Sequence, residues 1–149
     1  MSKLPYAESY RDLIVYQKAR ESAFDIFQLT KTFPKEEMYS LTDQIRRSSR
    51  SIGAQIAEAW AKRDYEKHFQ SKLTDADAER QESQHWIDIA FDCGYLSETQ
   101  ATKLKENIEE IGHLLAGMIA KSELFCNPLN RRLDELHDEY FIKLDVNGE

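Results

Sequence analysis

Four long stretches of this chain carry apolar residues at alternating three- and four-residue spacing, and only five glycines and three prolines punctuate the sequence. That spacing stacks side chains on one face of an α-helix, so the pattern predicts an all-α chain. Helix one is expected from about Tyr10 to Lys31, with Tyr16, Ala19, Ala23, Phe27 and Thr30 on one stripe and Phe24 and Ile26 widening it. Thr32-Phe33-Pro34 ends it. Helix two begins near Pro34 or Ser40, where Ser40 and Asp43 have capping-box-like spacing, and runs to about Lys62. Its seam is Leu41, Ile45, Ser48, Ile52, Gln55 or Ile56, and Ala59.

Asp64 is the expected N-cap of helix three, whose seam is Phe69, Leu73, Ala76, Arg80, Ser83, Ile87, and Ala90 or Phe91. Gly94 follows as a left-handed terminator. Helix four opens on a capping box at Ser97 and Gln100 and carries Leu104, Ile108, Ile111, Leu115, Met118, Ser122 and Phe125. Four long helices with short connections pack most simply as an up-down-up-down antiparallel four-helix bundle, here over residues 1–126. Asn127-Pro128 stops helix four. Residues 127–149 form a C-terminal extension in which Leu129, Leu133, Leu136 and Tyr140 share a face of a short fifth helix, read either as a docking arm or as a loosely held tail.

A length of 149 residues with 41% hydrophobic content suits one domain with its own core. The N-terminus lacks a basic and apolar leader, and no run of about 18 uncharged apolar residues occurs, so a soluble cytoplasmic chain with no membrane partner is expected. Cys93 and Cys126 are far apart and give neither a disulfide framework nor a metal-binding spacing. The net charge of −7 is uneven: residues 1–63 carry 11 Lys and Arg against 8 Asp and Glu, while residues 64–126 carry 6 against 13. The basic first half could meet phosphate, or the acidic half of a neighbouring subunit.

Helix two concentrates the interaction chemistry. If Leu41, Ile45 and Ile52 face inward, a turn of about 100° per residue gathers Arg50, Ala54, Ala57 and Ala61 on the opposite side. Small side chains let another helix approach, which makes this face the expected contact between copies of the chain. Arg46, Arg47 and Arg50 with Lys62 and Arg63 form a basic side able to donate to the phosphates of RNA or DNA; structural salt bridges are the competing reading. Glu82-Ser-Gln-His85 and Glu110-Ile-Gly-His113 share the Glu-x-x-His spacing of di-metal carboxylate bundles. Measured from the seams, both pairs point away from the interior, so the di-metal enzyme is set aside. The four histidines have no nucleophile beside them, and no Gly-rich phosphate loop is present. No catalytic residue, metal ligand or cofactor is assigned.

The order of residues in helices one to three resembles the four-helix bundle family of the 23S rRNA intervening-sequence proteins. The resemblance begins with Tyr10-Arg11-Asp12-Leu13-Ile14-Val15-Tyr16-Gln17-Lys18-Ala19 and Phe33-Pro34. It is strongest over Gln44-Ile45-Arg46-Arg47-Ser48, Ser51-Ile52 and Ile56-Ala57-Glu58, and resumes at Phe69, Leu73, Ala76, Glu82 and Gly94-Tyr95-Leu96. Members are similar to accessory proteins of diversity-generating retroelements. The resemblance implies antiparallel bundles that assemble into homopentamers, some of which engage nucleic acid or a reverse transcriptase, with no established enzymatic activity. This chain departs from the pattern at Gln55, where Asn is usual, at Ala59, where Gly follows Glu58, and at Ala78-Glu79, where Gly-Ser is usual.

Overall fold

The computed structural model describes residues 7–126 and 139–141. Four long helices, α1 (Ile14–Thr30), α2 (Leu41–Ala61), α3 (Glu66–Asp92) and α4 (Glu98–Ala120), are followed by a short α5 (Ser122–Cys126). Each long helix packs on two neighbours in the cyclic order α1, α2, α3, α4, which is the antiparallel bundle that short connections favour. None of the helices among the described residues is long and apolar enough to cross a membrane.

The seams of α2 and α4 bury the expected residues, and α2 takes Ile56 rather than Gln55 as its inward position. On α3, Ala90 is buried and Phe91 is exposed. Helix one differs by about one residue of rotation: its buried stripe is Val15, Ala19, Ser22, Ile26 and Thr30. Tyr16, Ala23 and Phe27 lie half-buried on the flank toward α2, and Phe24 is 57% exposed. The aromatic rings find partners on that flank: Tyr16 packs edge-on against Tyr10 and beside Gly53, and Phe27 lies under cations.

The turns explain most of the boundaries. A 3-10 turn at Tyr10–Asp12 is fixed by a capping box, Ser9 Oγ accepting from the Arg11 N–H (3.1 Å) and Asp12 Oδ2 accepting from the Ser9 N–H (3.2 Å). Pro34 and Ser40 each precede a helical segment, a 3-10 turn at Lys35–Glu37 and then α2, but the Ser40 side chain makes no capping bond. Its N–H is drawn back to the Glu37 carbonyl (3.0 Å), so the turn rather than the hydroxyl sets the entry into α2. Tyr65, not Asp64, is the N-cap residue of α3, and it too lacks a side-chain cap. After α3, Gly94 adopts φ +76°. Its N–H reaches the Phe91 carbonyl and the Tyr95 N–H reaches the Ala90 carbonyl, both at 2.9 Å, which closes a Schellman motif. The Ser97–Gln100 capping box of α4 forms in both directions (3.1 and 2.9 Å).

The expected single helix through Phe125 breaks at Lys121 (φ −110°, ψ 26°). Ser122 is buried there, donating to Glu66 Oε1 (2.8 Å) and accepting from Gln70 Nε2 (2.6 Å), so the break turns α5 onto the start of α3. Of the expected fifth segment, Leu129, Leu133 and Leu136 lie outside the described residues, as does Asn127-Pro128. Tyr140 is 3% exposed and joins the core with Phe141, whose backbone forms an antiparallel bridge to Leu13.

The interior divides into two apolar clusters. One holds Val15, Ile52, Ile56, Phe69, Leu73, Ile111, Leu115 and the aromatic group Phe125, Tyr140 and Phe141. The other holds Ile26, Phe33, Leu41, Ile45, Ile87, Leu96, Leu104 and Ile108. Between them in sequence on α1, α2 and α3 sit the buried serines Ser22, Ser48 and Ser83, and the Ser83 hydroxyl donates to Ser48 Oγ at 2.9 Å. Such a buried pair removes a desolvation cost only while both partners are present.

Arg80, a charge within an apolar seam, is accommodated in two ways. Its Nε donates to Asp77 Oδ1 at 2.6 Å, and it lies against Gly112 of α4, where a Cβ would come within 2.6 Å of Arg80 Cζ. Burial pushes the Asp77 carboxyl up, but hydrogen bonds from Arg80 and Gln81 and the Arg80 charge outweigh it and hold the group below the usual carboxylate range.

Candidate interaction face

The outer side of α2 and the adjoining flank of α1 enclose an open groove of about 260 Å³. Its walls include Tyr16 and Ala23 from α1 and Gly53, Ala54 and Ala57 from α2, with Arg20 and Arg50 among the lining side chains. Three of the four residues expected at a subunit contact, Arg50, Ala54 and Ala57, therefore meet in one hollow. Ala61 is separate: it lines a second hollow of about 270 Å³ with Trp60, Arg63, Phe125 and Cys126. Arg50, Ala54 and Ala61 are exposed and Ala57 is half-buried. The rotation of α1 opens this groove, because it places Ala23 on the flank rather than inside the core.

The five cations expected to form one basic side are dispersed. Arg46 and Arg50 sit with Lys31, their charged ends 5.0, 5.6 and 4.7 Å from the centroid of the Phe27 ring. Arg47 points elsewhere and pairs with Asp43 one turn back (3.7 Å). Lys62 is exposed at the C-terminal end of α2. Arg63 lies flat on Trp60, 3.5 Å from the ring centroid, and its Nε donates to the Trp60 carbonyl (3.0 Å). Burial lowers the pKa of Arg63, with Cys126 and Asp64 opposing that change. Residue type marks these arginines, but their grouping depends on Phe27 of α1 and on Lys31, which directly follows that helix.

Around the second hollow, burial pushes the Cys126 thiol up to about 11, with Glu66 adding to the effect and Arg63 opposing it. Cys126 is therefore a poor nucleophile at neutral pH. Glu82, His85, Glu110 and His113 are all exposed; Glu110 pairs with Lys18 (3.1 Å), and the His85 ring lies 4.7 Å from that of Trp86. Among the described residues, no three His, Cys, Asp or Glu side chains converge as metal ligands would. On α3, burial and the adjacent Glu82 raise the pKa of Glu79, with Arg47 opposing.

An antiparallel four-helix bundle with a small-residue groove on its first hairpin defines the class of this protein. The family model of the 23S rRNA-intervening sequence proteins matches residues 11–117, which span α1 to α3 and most of α4. The chain belongs to that family. A solved structure, a protein of unknown function from the S23 ribosomal protein family of Bacteroides thetaiotaomicron, is similar to it at 30% identity with a TM-score of 0.65. The similarity covers 71% of this chain and 98% of that one. No curated protein matches the chain.

Proposed function

We propose that the protein is a non-catalytic accessory or scaffold bundle that works as an assembly of copies of itself, five by family resemblance, joined through the α1–α2 face. The observation that carries this reading is the groove at Gly53, Ala54 and Ala57, where missing side-chain bulk leaves the α2 backbone open to close approach by another helix. A solvated helix face normally carries long charged side chains, and here they stand only at the margins as Arg20 and Arg50. A head-to-tail ring would also use the uneven charge, since a basic first hairpin and an acidic second one attract across a repeated contact.

The test is mass in solution. Light scattering at micromolar concentration is expected to give a multiple of the 17.4 kDa chain, and a strict monomer would overturn the proposal. Ala54→Glu and Ala57→Glu place a charge in the groove and are expected to release folded 17.4 kDa monomers whose circular dichroism is unchanged.

A further inference from the structure

Three cations converge on a single phenylalanine. Lys31 Nζ, Arg46 Cζ and Arg50 Cζ all lie within 5.6 Å of the Phe27 ring centroid, so any two are separated by no more than the sum of their distances to that ring. No carboxylate among the described residues forms an ion pair with any of them. Contact with the ring stabilises a cation at such a site by only about 0.5–1 kcal/mol and leaves their mutual repulsion in place. The cluster is therefore an arrangement that an anion would relieve.

Arg46 is also held in position. Its Nε donates to Thr30 Oγ1 (2.8 Å), and the Thr30 hydroxyl donates to the Phe27 carbonyl (3.0 Å). Thr30 is 3% exposed, so a partly buried relay through its hydroxyl holds the guanidinium by Nε and leaves the two terminal nitrogens free of that bond. Two guanidinium groups and one ammonium carry three positive charges against the single negative charge of a carboxylate. A phosphate, with more oxygens and more charge, matches them.

We propose that Lys31, Arg46 and Arg50 form a binding site for a phosphate group beside the Phe27 ring, with Thr30 as a positioning residue. The phosphate could belong to a nucleic-acid backbone or to a free phosphate ester. This goes beyond self-assembly and does not depend on it. The site lies where α1 turns toward α2, since Lys31 directly follows α1, and Arg50 alone also lines the small-residue groove.

The experiment uses the full chain with two probes, inorganic pyrophosphate followed by calorimetry and a short single-stranded oligouridylate followed by anisotropy, each at ~50 and ~200 mM salt. Lys31→Gln, Arg46→Gln and Arg50→Gln are each expected to weaken binding about tenfold, the scale of a lost charge-assisted contact, and to lower the oligouridylate salt slope by about 0.7. Arg47→Gln is expected to change affinity by less than about twofold, because an exposed pair such as Arg47–Asp43 contributes little. Thr30→Val keeps every charge yet should weaken binding, which a purely diffuse electrostatic field would not do. Pyrophosphate binding that depends on the three cations assigns the site to free phosphate esters; dependence seen only with oligouridylate assigns it to a polymer.

Failure of both probes to bind at ~50 mM salt would overturn the proposal, as would equal losses from Arg47→Gln and the three cation variants. So would cation variants that lower the assembled mass without changing affinity, because the cations would then be meeting carboxylates of a second copy. Mass is measured on every variant, so a monomer that binds phosphate rejects the assembly reading alone.

Discussion

The half of the core around Ile26, Leu41 and Leu104 is closed by the turns that join its own helices, whereas the half around Ile52, Phe69 and Leu115 is closed by segments from outside the four helices. In the first, Phe33 from the α1–α2 turn meets Tyr95 from the α3–α4 turn at 5.3 Å, and the Gly94 Schellman motif brings Leu96 inside. In the second, Phe125 of α5 lies 5.9 Å from Phe69 and 5.4 Å from Tyr140, and Phe141 beside it bridges to Leu13. Local signals suffice to close one end of the bundle, while the other depends on residues distant in sequence. The second end should therefore be the more sensitive to loss of a single anchoring ring.

The largest effect is expected from Phe125→Ala, which removes a buried ring that three aromatic partners share. It should cost about 3–5 kcal/mol in denaturant unfolding. Phe33→Ala, at the rim of the other half, should cost clearly less, and equal losses would break the comparison. Next comes Gly117→Ala, whose Cβ would strike the Tyr140 hydroxyl. A loss of about 1–3 kcal/mol is expected, reduced in a Tyr140→Phe background where the hydroxyl is gone.

The serine layer between the halves gives a smaller effect. Ser83→Ala should cost about 1 kcal/mol, and adding Ser48→Ala should cost less than a second such step, because the bond between them is already gone and only the long contact of Ser48 to the Ile45 carbonyl (3.4 Å) is left to lose. The smallest effect is expected from acid. Asp77 has a depressed folded-state pKa, so its contribution is complete above the unfolded carboxylate pKa and disappears as pH falls through the folded value. Asp77→Asn should flatten that acidic section of the stability curve and leave its neutral section sloping as before.

These contrasts also explain what could be read before the fold was known. The seams of α2 and α4, the Ser97 box and the Gly94 terminator were legible because each depends on residues within a few positions of one another. Helix one differs from its sequence pattern because Tyr16, Phe24 and Phe27 look like core by residue type, whereas the structure leaves them on a flank or in solvent. The break at Lys121 depends on Ser122 meeting Glu66 and Gln70 more than fifty positions away, which no local pattern reports. On the outer side of α2, the small residues that line the groove are legible from helical geometry. The grouping of Arg46 and Arg50 with Lys31 is not, because an aromatic ring on α1 selects them.

Gly117 is the last residue of the family match and also the surface on which the Tyr140 hydroxyl rests. The packed unit therefore runs past the matched segment, because Phe125, Tyr140 and Phe141 complete the core that the matched helices build. In this chain the bare glycine surface is what lets the tail's tyrosine seat its hydroxyl against α4, so one missing methyl group ties the tail to the bundle.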